Sequence, residues 1–213
     1  MNYLAHIYLS GQEEEVKVGG FIADSIKGSK YNEYPEGMRF GILLHRKIDT
    51  YTDKHPAVMR SIQRFRHVYG KYSGVAVDML YDHYLASDWG TYSDLSLKDF
   101  SRNFYASLNK YKAFLPERFL QFMPIFIRKD RLSSYADLTV FEELLQKMGE
   151  HTAMPEASEA AIDLIWSEYY NFKDDFLSFF PDLMEYTKKL HPFRNAEPKE
   201  VLAYNSPPLI YKS

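Results

Sequence analysis

Within Gly41–Pro56 a histidine and two aspartates, His45, Asp49 and Asp53, recur every four residues among Ile42, Leu43, Leu44 and Ile48. No proline interrupts Gly41 to Asp53, and the apolar spacing predicts a helix. At about 100° per residue the three polar side chains fall along one stripe. Carboxylates on a face flanked by isoleucine and leucine are costly unless paired, hydrogen-bonded or bound to a metal. A solvated face is the bland alternative. It loses ground because the same residue types recur elsewhere.

The next helix is expected over Gly74–Trp89, with Ser73 as its N-cap. It places Asp78 and Asp82 one turn apart, with His83 adjacent, among Val75, Val77, Met79, Leu80 and Leu85. Two helices that each offer carboxylate and imidazole are how bundles build metal sites in their cores. Oxygen and imidazole donors suit Mn, Fe(II), Zn or Mg, and a chain with no cysteine has no thiolate for a structural zinc. Asp24, between Ile22 and Ile26, joins the pattern. His6, alone among apolar neighbours in Met1–Leu9, reads first as a core histidine.

The remaining punctuation predicts helices throughout. Met1–Leu9 stops at Ser10-Gly11, and a second helix runs from about Glu13 to Lys27 with Gly28 as its C-cap. Within it Gly19-Gly20 costs about 1 kcal/mol per glycine relative to alanine, tolerable where another backbone approaches closely. Tyr31–Glu36 reads as a loop, and Pro35 fits the first turn of the central helix. Pro56 opens a basic amphipathic helix, Val58–Tyr69, ending at Gly70. Ser96-Leu-Lys-Asp99 resembles a capping box for a helix to about Phe114. Pro116 and Pro124 bracket Glu117–Met123, and Ser133-Ser134 open a helix reaching Met148. Pro155 begins a long segment to Leu190, interrupted at Phe179-Phe-Pro181. Residues 191–213, with four prolines, read as an irregular tail. No strand alternation competes, so the expectation is an all-α single domain over 1–190, a helical bundle. With 18 Tyr and 15 Phe its interior should be built from large rings with polar rims.

Charge is uneven along the chain. Lys27–Lys71 holds ten basic residues against four acidic ones, although the whole chain nets −3. A basic region beside the site would attract an acidic partner or a phosphorylated substrate. No apolar run approaches the roughly 18 residues of a membrane span, and the N-terminus lacks a leader pattern, so a soluble cytoplasmic protein is expected. There is no Walker loop, GxGxxG or GxSxG, and nothing matches a nucleic-acid module; neither nucleic acid nor membrane is expected as partner.

The ordered motifs Met1-Asn-Tyr-Leu-Ala-His6, Gly20-Phe-Ile-Ala-Asp24-Ser-Ile-Lys-Gly28, Gly41-Ile-Leu-Leu-His45-Arg-Lys-Ile-Asp49 with Thr52-Asp53, and Asp78-Met-Leu-Tyr-Asp82-His83-Tyr-Leu85 followed by Trp89 resemble the acyl carrier protein phosphodiesterase family. The likeness covers the first ninety residues, with a weaker echo at Phe176–Pro181. It implies hydrolysis of the phosphodiester joining 4′-phosphopantetheine to a serine of holo-acyl carrier protein. It also implies a distant relation to the HD-type phosphohydrolases and a divalent metal, manganese first, with Mg²⁺ or Fe²⁺ as alternatives. Here the doublet is Asp82-His83, the reverse of the HD order, so ligands do not transfer from those enzymes one by one. On this reading Asp24, His45, Asp49 and Asp82 are expected as metal ligands and Asp78 as ligand or orienting neighbour. His6 or His83 is the general acid, and Lys27 and Arg46 steady phosphate. The Val58–Tyr69 helix would steer the acidic carrier protein, and Asp53 would cap or orient. Two other readings stand beside it: a metal hydrolase of a nucleotide or other small phosphoester, and a non-enzymatic helical interaction module.

Overall fold

The computed structural model describes residues 2–151 and 158–191, and every regular element among them is helical. The helices are α1 (Tyr3–Leu9), α2 (Glu14–Ile22), α3 (Glu36–Thr52), α4 (Pro56–Tyr69) and α5 (Ser73–Ser87). They continue as α6 (Leu97–Lys110), α7 (Glu117–Arg128), α8 (Arg131–Ser134), α9 (Leu138–His151) and α10 (Ser158–Leu190). Apolar residues from Leu4 to Leu183 join in one core. The expected tail lies, from residue 192 onward, outside the described residues, as does Pro155.

Several boundaries differ from the sequence expectation, each for a local reason. α2 ends at Ile22, and Asp24 sits in the 3₁₀ turn Ala23–Ser25 beyond it. The chain leaves helical geometry at Ile26 (φ −99°, ψ 103°), so Gly28, at φ +56°, lies in the loop beyond and is not the expected C-cap. Ser73 is the first residue of α5 rather than its cap, because its hydroxyl turns back to donate to Gly70 O at 2.7 Å. α5 closes at Ser87 and α6 at Lys110, and a 3₁₀ turn succeeds each helix, Trp89–Thr91 and Lys112–Phe114. α7 runs through Pro124, and α10 runs through Pro181. Both prolines are exposed, so the carbonyls they leave without an amide partner stand on the wet side of the helix. The break in α10 falls instead at Glu168 (φ −116°, ψ 16°), whose carboxylate meets Arg64 at 2.9 Å. The Ser133–Met148 segment is divided between α8 and α9; Asp137 accepts from Thr139 N at 2.9 Å as α9 begins. Ser96 caps α6 as half of the expected box: its Oγ accepts from Asp99 N at 3.1 Å and donates to Asp99 Oδ2 at 2.7 Å.

The α2–α3 pair is the framework for the site. A Cβ on Gly19 would lie 2.2 Å from Met38 O, and one on Gly41 2.2 Å from Val16 O. Only glycine permits the two backbones to approach this closely, which is the reason for glycines that local helix propensity disfavours. α1 packs on α2 and α5, and α10 lies along α4 while touching α3, α5 and α9. The interior is aromatic, and several of its polar rims are satisfied, although the buried Tyr69 hydroxyl has no partner. Phe21 packs on Phe104, Phe119 and Phe126, and Phe176 on Tyr81, Tyr84 and Phe180. Tyr84 donates to Tyr169 O at 2.8 Å, and Trp89 Nε1 to Leu95 O at 2.7 Å. The Phe176–Pro181 segment thus supplies core rings.

Candidate metal centre

α3 turns His45 and Asp49 toward α1 and the end of α2. His45 Nδ1 donates to Gly20 O at 2.8 Å, across the close glycine contact. That bond fixes the ring and leaves Nε2 directed at Asp49 Oδ2 (3.1 Å) and Asp24 Oδ1 (3.2 Å). His6, from α1, stacks on His45 with centroids 3.6 Å apart and planes 13° from parallel, and its Nε2 meets Asp49 Oδ1 at 3.1 Å. Four side chains from three segments therefore meet at one point. The imidazoles are buried, whereas Asp24 and Asp49 reach solvent, so histidines form the floor and carboxylates the rim.

Proton affinities are set by this packing. Burial pushes His6 down to about 4, and the adjacent His45 ring adds to the effect. Burial opposes charge on His45 as well, yet hydrogen bonds to Asp24 and Asp49 raise it to about 9. Partial burial works against the charge of Asp49, but the two imidazoles hold it well below the usual carboxylate range. Asp24 is lowered chiefly by its bond to His45. Two stacked imidazoles sharing one carboxylate thus favour opposite protonation states.

The donor set suits a divalent cation. His6, His45 and Asp49 each offer an atom within 4.8 Å of the others, and Asp24 adds an oxygen at the rim. With Nδ1 of His45 donating to a backbone carbonyl, its Nε2 lone pair would otherwise need a proton to face two carboxylates. A ring nitrogen anchored on a carbonyl while the other faces acceptors is the usual arrangement of a metal-binding histidine.

The other expected site residues are placed differently. Asp82 is fully buried, and both its oxygens are taken: Oδ2 accepts from Leu4 N at 2.7 Å and Oδ1 from Ala5 N at 3.1 Å. It caps the start of α1, where Asn2 makes no side-chain capping bond. Its neighbour His83 points elsewhere, with Nδ1 donating to Tyr135 O at 2.9 Å and Nε2 3.2 Å from Tyr169 Oη. It lines a shallow depression of about 570 Å³ with Ser87, Ser133, Asp137 and Trp166, away from His6, His45 and Asp49. Successive helical residues diverge by about 100°, and here Asp82 and His83 are committed to different partners on different sides of α5. Asp78, half-buried, is near enough to Asp49 and Asp53 for their charges to add to burial in raising its proton affinity. Arg46 ties down the segment after Asp24, donating to Ile26 O at 2.8 Å and Gly28 O at 3.0 Å and resting over Tyr31. Lys27, three residues after Asp24 in the chain, is exposed, and Asp53 is exposed after α3.

The basic face of α4 is largely engaged within the protein. Arg60 meets Asp175 at 2.7 Å, Arg64 meets Glu168 and Asp175, and Ser61 donates to Asp175 Oδ2 at 3.1 Å. Spacing within the sequence did not reveal His6 as part of the cluster, Gly20 O as its anchor, or Asp82 as a distant cap; only the Gly19-Gly20 doublet hinted at the close contact.

The sequence profile of the acyl carrier protein phosphodiesterase family matches residues 1–183. The chain belongs to this family of enzymes. Among its relatives, an acyl carrier protein phosphodiesterase of Yersinia pestis is 30% identical over 186 residues, 86% of this chain and 96% of the relative. One from Pectobacterium atrosepticum is 30% identical over 190 residues, covering 88% and 98%. One from Photorhabdus laumondii is 28% identical over 189 residues, covering 87% and 94%. No solved structure matches the chain. Among the described residues no helix is long and apolar enough to cross a membrane.

Proposed function

We propose that this protein is a metal-dependent phosphodiester hydrolase that removes 4′-phosphopantetheine from holo-acyl carrier protein, leaving apo-carrier protein. Family membership supports the substrate, and the meeting of His6, His45, Asp49 and Asp24 at one point is the observation that carries the chemistry. The resident cation is manganese, with Mg²⁺ or Fe²⁺ as alternatives for the same hard donors. When bound, it supplies charge neutralisation at the phosphate oxygens and activation of the attacking water.

The chain's own residues do the rest. His6, His45, Asp49 and Asp24 hold the cation, with His6 as a ligand rather than the general acid, since its Nε2 already faces Asp49. Asp78, whose proton affinity burial raises, holds the proton destined for the leaving serine oxygen. Lys27 steadies the phosphate from the rim, and Arg46 keeps the Asp24 segment in place. The partner is the carrier protein in the cytoplasm, with no nucleic acid or membrane involved. The distant HD-type kinship would then lie in an all-helical metal site, built here without the Asp82-His83 doublet.

Purified protein supplied with Mn²⁺ should convert holo- to apo-carrier protein, read as loss of the phosphopantetheine mass. A folded, Mn²⁺-loaded protein that leaves the carrier mass unchanged would overturn the reading. Faster turnover of a simple phosphodiester such as bis(p-nitrophenyl) phosphate would move the substrate to small phosphoesters.

A further inference from the structure

Two threonines flank Tyr51 in α3 and behave differently. Thr50 is exposed, and its hydroxyl donates to Arg46 O at 2.8 Å, the usual bond of a helical threonine to the preceding turn. Thr52 is 2% exposed, and its Oγ1 is buried with no hydrogen-bond partner. Seven residues beyond His45, Thr52 returns to within about 20° of the direction of His45, whereas Asp53 stands about 80° away. Helical side chains lean toward the N-terminus, which brings the Thr52 side chain over the turn that carries Asp49, three residues back.

Asp49 is the side chain whose bonding must change when the site is filled. Its Oδ1 is now matched with His6 Nε2 and its Oδ2 with His45 Nε2. A cation that takes both Nε2 lone pairs removes both of these donors. A carboxylate that then gives one oxygen to the cation needs a new donor for the other. The face carries one buried donor without a partner, one turn away.

We propose that Thr52 Oγ1 donates to the Asp49 carboxylate in the cation-loaded site, making Thr52 a positioning residue for the metal. This rests on the metal-dependent reading given above. It also accounts for the hydroxyl itself: a buried, unpartnered hydroxyl destabilises the metal-free protein, and valine would fill the same space without that cost. A purely structural threonine would therefore be improved by Thr52→Val with no effect on metal.

The test is calorimetric titration of metal-free protein with Mn²⁺, together with thermal melting of the same samples. Thr52→Val should melt at the same or a higher temperature without metal, yet bind Mn²⁺ about 10- to 100-fold more weakly, the usual cost of losing an orienting partner. Thr52→Ser, which restores the hydroxyl, should recover most of the affinity. Thr52→Ala makes the same comparison should the valine variant fail to fold. Wild-type affinity in a folded hydroxyl-less variant overturns the proposal while leaving the metal reading intact. A wild-type protein that binds no Mn²⁺, Mg²⁺ or Fe²⁺ overturns the metal reading, and this proposal with it.

Discussion

In His45 the two ring nitrogens have separate tasks: Nδ1 holds the ring against Gly20 O, and Nε2 faces Asp24 and Asp49. Asp49 is the junction, since its two oxygens meet the two imidazoles. Asp49→Asn keeps its shape and removes its charge. It should lower Mn²⁺ affinity and carrier hydrolysis by more than about 100-fold, beyond what loss of an orienting partner costs, while circular dichroism stays unchanged. Asp82 calls for the opposite kind of test, one of stability. Burial pushes its carboxyl up to about 7, although Leu4 N and Ala5 N pull it down. Relative to an unfolded aspartate near about 3.9, the folded state holds the proton longer. Its contribution to stability is therefore full below about 4 and is lost as pH rises toward 7. Asp82→Asn should flatten the melting temperature against pH across that window, measured as a difference from wild type.

At the scale of elements, the α2–α3 contact sets the registration of the site. Gly41→Ala places a Cβ 2.2 Å from Val16 O, which backbone can relieve only by moving apart. It should cost about 1–3 kcal/mol or more in chemical denaturation, and it should weaken activity too, because Gly20 O and His45 lie on the two helices being separated. The α4–α10 contact is where expectation and structure part most clearly. A basic amphipathic helix reads as a docking face in isolation, but Asp175 is buried beneath Arg60, Arg64 and Ser61. Arg64→Ala strips one partner from that buried carboxylate while Arg60 remains. Urea unfolding should show a loss approaching about 3 kcal/mol, with little change in KM for holo-carrier protein.

For the molecule as a whole, a cation held by α1, α3 and the turn after α2 links elements that pack as neighbours without it. Mn²⁺ should therefore raise the melting temperature in a concentration-dependent way, by about 2.7 kcal/mol of added stability at a hundredfold excess over Kd, and should not do so in Asp49→Asn. The sequence by itself determined the helical class, most helix starts, the aromatic interior and the His45–Asp49 half of the site. These are local matters: apolar period, caps and glycines act within a few residues, and residues four apart on a helix must share a face. Tertiary structure decided the rest. It brought His6 and Asp24 to His45, and it turned Asp82 onto the amides of Leu4 and Ala5, 78 and 77 residues away. It also sent His83 to Tyr135 and Tyr169, and it neutralised much of α4 with acids from α10. An aspartate that binds a cation and one that caps a distant helix are the same residue in the same local pattern. Which it becomes depends on which donors the packing of other helices places against its oxygens.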